Sequence, residues 1–422
     1  MISTALRAST AAALCLAASS AFAVEKADVL NTYADIAAAK YDDSLLTAKT
    51  LQAAVNALIA TPSAETLQAA RDAWFAARVP YQQSEVFRFG NAIVDDWEGK
   101  VNAWPLDEGL IDYVDASYGG ATDENAFAAL NVVANPTFTL SGKTIDTSDI
   151  TPALLEGDLH EADGVEANVA TGYHAIEFLL WGQDLNGTEH GAGNRSWTDY
   201  ATGADCTNGN CERRGDYLKA ATDLLVSDLE WMAAQWTAKG EARSTLLSDE
   251  DAGISAILTG MGSLSYGETA GERMRLGVML NDPEEEHSCF ADNTHNDHYY
   301  DGLGVQNVYL GQYVRVDGTL ISGPSVSDLV SAENAALDLE VRGKLSTTMR
   351  ALGQIKTAAE SGFSYDQMLA AGNAKGEALI MSGVNGLIDQ TRSFERAIVA
   401  LDLNNVAIEG SDSLDNPNAV FQ

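Results

Sequence analysis

Basic side chains are scarce in this chain of 422 residues, which has 25 Lys and Arg residues against 61 Asp and Glu residues. The formal net charge of −36 argues against nucleic acid as a partner, because nucleic acid phosphates need basic side chains. The same acidity is compatible with the binding of cations. The alternative is that most of the charge forms a solvated acidic surface, as in proteins of salty environments.

Long apolar runs are missing after the first residues, and no later segment has the roughly 18 unbroken apolar residues of a membrane span. Residues 1–23 combine Arg7, a short apolar run and the small-x-small site Ala21-Phe22-Ala23. This pattern predicts a cleaved secretory signal peptide, with export to the periplasm or cell envelope and no transmembrane segment. Cys15 lacks the preceding small residues of a lipoprotein signal, which favours a soluble chain over a membrane-anchored one.

Cysteine is rare, with four residues, of which Cys15 lies in the predicted signal peptide. Cys206 and Cys211 enclose a Gly- and Asn-rich loop, and exported proteins meet an oxidising compartment. We therefore predict a Cys206–Cys211 disulfide, with a CxxxxC metal site as the alternative, and expect Cys289 to be free.

Several enzyme signatures are also missing. The sequence has no HExxH pattern, in which two His bind zinc and the Glu acts as general base. It has no nucleophile elbow and no phosphate-binding loop either.

Helical periodicity dominates what is present, which predicts an all-α fold. Ser63 is a suitable N-cap, Pro80 should kink its helix or end it early, and residues 135–146 could form a small hairpin. The helices are expected at about 26–60, 63–89, 163–182, 217–236, 250–278, 327–361 and 373–402.

Two long segments without periodicity divide the chain, at about 186–214 and 281–304. The first predicts a boundary between helical-bundle domains at 24–195 and 196–422. The halves share an ExxRxG pattern and a His-x-x-acid pattern followed by Gln, which favours duplication, although chance is a serious rival. The matched positions are Glu85, Arg88 and Gly90 with Glu272, Arg275 and Gly277, then His174, Glu177 and Gln183 with His298, Asp301 and Gln306.

The apolar run at 170–185 contains His174 and Glu177, three residues apart. On a helix these side chains point to the same side, as metal-binding pairs in helical bundles do. Imidazole with carboxylate suits iron, zinc, manganese or copper. The alternative is a His–Glu hydrogen bond within a packing face.

A second candidate cluster lies in the loop at 283–304, where the density of donors suits a cation site or an organised polar network. Phe290, Tyr299 and Tyr300 favour a functional role over a solvated surface loop. The candidate residues are His287, Asp292, His295, His298 and Asp301.

A third group combines acidic and basic residues within helical periodicity. Glu268 and Glu272 should share a helix face with Arg275, and Glu85 with Arg88 would be the counterpart pair. Such pairs are most often surface salt bridges, but buried charges must be paired or bind something.

Four segments together resemble the imelysin-like family, and in particular its iron-regulated branch. They are the GxHxxE motif at 172–177, WPLDEGLIDYV at 104–114, SYGETAGERM at 265–274 and EEEHSCFADNTHND at 284–297. The resemblance spans nearly the whole mature chain. It implies two helical bundles with a cleft between them, and a GxHxxE helix near their interface.

The resemblance also implies a function. The family is named for an insulin-cleaving protease and classed nominally with metallopeptidases, while its members resemble modules of bacterial iron uptake. We expect an exported, non-catalytic protein that binds iron, with zinc or copper as alternatives, and an envelope transporter or receptor as partner. The expected metal ligands are His174 and Glu177, followed by Glu85, Glu268 and Glu272, with Arg88 and Arg275 in support. A metallopeptidase at His174 and Glu177, or a binder of haem or polysaccharide, is the alternative.

Overall fold

The computed structural model describes residues 24–421, so the predicted signal peptide lies outside the described residues. Helices make up most of this part of the chain, which confirms the all-α prediction. The helices before the predicted domain boundary are α1 Lys26–Ala60, α2 Ala64–Gln82, α3 Ala92–Asn102, α4 Pro152–Leu154 and α5 Gly172–Trp181. Those after it are α6 Cys211–Gln235, α7 Glu241–Leu246, α8 Glu250–Ser263, α9 Leu276–Leu280, α10 Thr294–Leu310, α11 Val326–Glu360, α12 Tyr365–Leu369, α13 Ala374–Ala400 and α14 Asp412–Asp415.

The start and end of α2 follow from its sequence. Ser63 caps the helix by accepting a hydrogen bond from the backbone of Thr66 at 3.2 Å. Pro80 lies inside the last turn, and the helix ends two residues later at Gln82 rather than at residue 89. A short 3₁₀ turn, Glu85–Phe87, follows and carries one of the expected ligands.

Two small hairpins decorate the helices. Strands β1 (Thr137–Leu140) and β2 (Lys143–Asp146) pair antiparallel, with Phe138 opposite Ile145, as predicted for residues 135–146. The second hairpin, β3 (Gln312–Val314) with β4 (Leu320–Ser322), was not predicted.

Two predictions of local structure were wrong, and one helix was missed. The helix expected at 163–182 covers only α5, because Asp163, Gly164 and Gly172 have positive φ, which is incompatible with a continuous helix. The loop expected at 281–304 ends where α10 begins at Thr294. Helix α3 was not predicted at all.

The helix expected at 250–278 is continuous but not uniform. Between α8 and α9 the segment Leu264–Arg275 is a π-helix, whose hydrogen bonds join residues five apart instead of four. The wider turn changes which side chains share a face, and this decides the ion pairs described below.

The main hydrophobic core draws on both sides of the predicted boundary. Helix α1 packs along α2 and α6, and α10 packs against α2 and α11. Core residues such as Leu51, Trp74, Leu225 and Val341 belong to one cluster. A smaller cluster joins the π-helix to α11, α12 and α13 through Met274, Leu352, Met368 and Val384. The domain boundary, the duplication and the cleft remain predictions.

Cys206 and Cys211 form a disulfide with Cα atoms 6.0 Å apart, and Cys289 is buried and free. Within residues 24–421, no helix has the length and apolar character needed to cross a membrane.

Candidate functional site

Glycine at the start of α5 sets the position of the GxHxxE helix. Gly172 has φ of +79°, and a Cβ at this position would collide with the carbonyl of Val101 at the end of α3. Only glycine satisfies both conditions, so Gly172 lets α5 begin in direct contact with α3. This places His174 and Glu177 in the protein interior.

His174 and Glu177 contact each other as their spacing predicted. His174 Nδ1 lies 2.9 Å from Glu177 Oε2, and the two side chains are 1% and 0% exposed. The backbone N–H of Ala291 donates to the other oxygen, Oε1, at 2.9 Å. Both oxygens of Glu177 are therefore engaged, one by its own helix and one by the loop that precedes α10.

The second ring nitrogen of His174 has no such partner. Burial raises the pKa of Glu177. When Glu177 is ionised and accepts the hydrogen bond, the proton of the neutral ring sits on Nδ1, and Nε2 presents a lone pair. His174 Nε2 is buried and has no hydrogen-bond partner among residues 24–421. Burial, followed by the nearby His287 and Arg78, lowers the pKa of His174, so the ring is neutral at pH 7.

His287 is the neighbour of His174. The two rings meet edge to face with centroids 4.7 Å apart. His287 Nδ1 lies 3.0 Å from Asp297 Oδ2, and the Ser288 hydroxyl also donates to that oxygen. Burial, followed by Arg273, lowers the pKa of His287. Two neutral imidazoles thus lie side by side, each with a carboxyl group at Nδ1. Arg78 Nη2 also lies 3.4 Å from His287 Nδ1.

A buried arginine that the sequence analysis missed contacts the residues around His174 and His287, which together are called the His174–His287 centre. Arg78 of α2 lies 3.3 Å from Asp297 and donates to Asn102 at 2.6 Å and to Gln82 at 2.7 Å. Its guanidinium also packs 5.0 Å from the centre of the Tyr173 ring. The sequence did contain a signal, because Arg78 follows Trp74 by four residues and precedes Tyr81 by three, a spacing that places it on the apolar face of a helix.

A second arginine gathers three of the candidate carboxylates. Arg273 lies 2.9 Å from Glu85, 2.8 Å from Glu268 and 3.0 Å from Asp301. One guanidinium offsets part of the negative charge of the three groups, and burial raises the pKa of Asp301 to about 8. Gln82 joins the two groups by donating to Asp301 at 2.9 Å.

The π-helix explains why Arg273 takes this place and Arg275 does not. Arg273 follows Glu268 by five residues, the spacing that a π-helix aligns. Arg275, expected on the same face, instead lies with Nη1 3.2 Å from Met381 Sδ. That expectation assumed α-helical geometry and was wrong.

An open pocket of about 370 Å³ leads to the centre from outside. His287 contributes to its lining, while His174 lies behind His287. Arg88 lies at its rim, 3.5 Å from Glu98 and 3.8 Å from Glu268. The other residues that line it include Trp104, Glu268, Glu272, Arg273 and Glu285.

The remaining candidates of the second cluster lie elsewhere. His295 and His298 are on α10, where burial lowers their pKa to about 4 and about 3. His298 packs edge-on against Tyr365, and neither of its ring nitrogens has a hydrogen-bond partner within the described chain. Asp292 is separate again and lies beside Asp184 and Asp366.

The chemistry of the His174–His287 pair suits a transition metal only in part. Imidazole is a good ligand for iron, zinc and copper, and the buried Nε2 of His174 has no hydrogen-bond partner within residues 24–421. No third His, Cys, Asp or Glu donor of residues 24–421 completes a compact group with these rings. A metal here would keep several positions for water or for another ligand.

Comparison with known proteins agrees with the resemblance found in the sequence. The imelysin family model matches residues 37–394, most of the chain. The chain belongs to the imelysin family. It is similar to iron-regulated protein A of Synechococcus elongatus, with 21% identity over 364 residues that cover 83% of this chain and 79% of that protein.

A solved structure shows the same imelysin fold. It is named as an iron-regulated protein A precursor from Parabacteroides distasonis, and it matches with a TM-score of 0.64 at 19% identity. The match covers 90% of this chain and 97% of that one. The imelysin-family fold thus extends over nearly all of the described residues.

Proposed function

We propose that this imelysin-family chain is an exported, non-catalytic protein of bacterial iron acquisition that binds iron at His174 and His287. The observation that carries the proposal is the buried Nε2 lone pair of His174, which has no partner among residues 24–421 and lies beside a second neutral imidazole. A buried polar atom without a partner is costly, and a bound metal would satisfy it.

The relatives support iron as the metal. Both similar proteins carry the name iron-regulated protein A. Imidazole nitrogen binds iron, and zinc and copper remain competitors because they prefer the same donor. Export through residues 1–23 remains part of the proposal.

In this proposal Glu177 orients His174 instead of ligating the metal. A carboxylate that accepts from the second nitrogen of a ligating His fixes the tautomer and raises the basicity of the ligand. Asp297 stands in the same relation to His287. Glu85 and Glu268, both paired with Arg273, would shape the charge near the pocket rather than contact the metal.

A metal ion held by only two protein ligands is suited to exchange with a partner rather than to storage. With two protein ligands and the remaining positions free for water, the ion can pass through the 370 Å³ pocket to a partner. That partner would be an envelope transporter or receptor. A metallopeptidase would instead need a general base beside a metal-bound water. Glu177 is engaged at both oxygens, which favours binding over catalysis.

The test is a calorimetric titration of Fe(II), Zn(II) and Cu(II) into metal-free residues 24–422. His174→Ala and His287→Ala should each abolish tight binding, and Glu177→Gln should weaken it about 10–100-fold. His190→Ala is the matched control, because His190 is exposed and does not line the pocket beside His287. Unchanged binding in His174→Ala would overturn the proposal, and proteolysis that this variant loses would establish the peptidase alternative.

A further inference from the structure

A separate group of carboxylates gathers where three segments of the chain meet. Asp184 follows α5, Asp292 lies in the loop before α10, and Asp366 is on α12. One oxygen atom from each lies within 4.8 Å of the other two. Two ligands on opposite sides of a Ca²⁺ ion are about 4.8 Å apart, since Ca²⁺ binds oxygen at about 2.4 Å.

Glu286 gives the independent observation that this group is built for a ligand. Its side chain is fully buried, and neither of its carboxylate oxygens has a hydrogen-bond partner within residues 24–421. The carboxylate lies against Asp366 and close to Asp292. One oxygen of Asp292 and one of Asp366 are also without a partner in the described part of the chain.

No basic side chain compensates this charge. The charged groups that act on the four carboxylates are the other carboxylates of the group, with no Lys or Arg among them in residues 24–421. By contrast, Glu85, Glu268 and Asp301 each pair with Arg273. Buried carboxyl groups need a counter-charge, a metal or a proton, and burial raises the pKa of Glu286 and raises that of Asp292 to about 8. A bound cation would replace those protons.

The space beside the group fits a single ion. A cavity of about 10 Å³ adjoins the group and is lined by two of its members, Asp184 and Asp366, but not by Asp292 or Glu286. This is the room that one water-sized species needs. The cavity shares several lining residues with an open pocket of about 440 Å³, which provides access from solvent.

We infer that Asp184, Asp292 and Asp366, with the buried Glu286 beside them, form a binding site for a hard divalent cation such as Ca²⁺, distinct from the His174–His287 centre. All donors are carboxylate oxygens, which suit Ca²⁺, Mg²⁺ and Mn²⁺ better than they suit metals that favour nitrogen or sulfur. The bound cation would join α12 to the loop that carries His287 and Ala291, and so hold the neighbouring centre in place.

Calorimetry with Ca²⁺, Mg²⁺ and Mn²⁺ on residues 24–422 tests this site. One equivalent of at least one of these ions should bind, and Asp366→Asn and Asp292→Asn should each weaken that binding tenfold or more. Glu189→Gln is the control, because it removes an exposed carboxylate from the loop that contains Asp184. His174→Ala should bind as the parent chain does, which separates this site from the proposed iron centre.

Thermal unfolding provides a second readout. Asp366→Asn should raise the melting temperature when no cation is bound, and it should abolish the rise that the cation causes in the parent chain. In the presence of EDTA, Asp366→Asn should melt above the parent chain, because the substitution removes repulsion among carboxylates. Addition of the cation should raise the melting temperature of the parent and leave that of Asp366→Asn nearly unchanged. The inference is overturned if none of the three ions binds the parent chain, or if both Asp variants bind like the parent.

Discussion

Replacing Arg78 by Met should destabilise the protein by about 3 kcal/mol. Arg78 and Asp297 are each 1% exposed and lie 3.3 Å apart, and loss of one partner of a buried pair typically costs about 3–5 kcal/mol. His287 and Ser288 still contact Asp297 in the variant, which places the expected loss at the lower end. Methionine keeps much of the packing against the Tyr173 ring, so the loss reports on charge.

Urea unfolding of a double-mutant cycle measures this effect. Asp297→Asn in the Arg78→Met background removes the stranded charge, so the double variant should be more stable than the sum of the single losses by about 0.5–3 kcal/mol. Arg392→Met is the control, because Arg392 is 66% exposed and its pair with Asp389 should contribute less than about 1 kcal/mol. Additive losses, or an Arg78→Met loss no larger than that of the control, would refute the reasoning.

Three further predictions concern pH, backbone and disulfide. The pKa of His298 falls to about 3, chiefly through burial, so the unfolded chain binds the extra proton below about pH 6.5 and stability drops between there and pH 3. His298→Gln should reduce that drop in the free energy of unfolding, measured by urea titration at each pH, by up to about 1.4 kcal/mol per pH unit, and an unchanged slope would contradict it. Gly172→Ala should lower the melting temperature far more than Gly187→Ala, because both have positive φ but only Gly172 meets a neighbouring backbone, and equal losses would refute this. Replacing Cys206 and Cys211 together by Ala should cost about 2 kcal/mol in denaturant unfolding, and no loss would argue against a closed loop.

The sequence was sufficient where a signal is local and periodic. The long helices α1, α2, α11 and α13, the cap at Ser63 and the β1–β2 hairpin all follow from patterns within a few residues of each other. The contact between His174 and Glu177 belongs to the same class, because a spacing of three within a helix fixes it.

The features that were missed depend on contacts between distant segments. Asp184 and Asp366 meet Asp292 across long separations in the chain, and no local pattern marks them as a group. The π-helix shifts the partner of Glu268 from Arg275 to Arg273, which helical periodicity of 3.6 cannot anticipate.

Helix α10 was not predicted for a different reason. Asn293 is its N-cap, and Asn296, Gly302 and Gly304 within the helix have low helix propensity, so the segment resembled a loop. Burial against α2 and α11 overrides that weak local preference. The polar side chains of α10 then face inward, where Asp297 and Asp301 pair with Arg78 and Arg273.

The most direct test of the account is anomalous diffraction at the iron edge from crystals of residues 24–422 grown with Fe(II). The proposed function predicts a peak at bonding distance, about 2.0–2.2 Å, from His174 Nε2, with His287 as the second protein ligand. A His174→Ala crystal prepared in the same way should lack that peak. Density for iron only at Asp184, Asp292 and Asp366, or no ordered iron at all, would contradict the assignment of His174 and His287 as the iron centre.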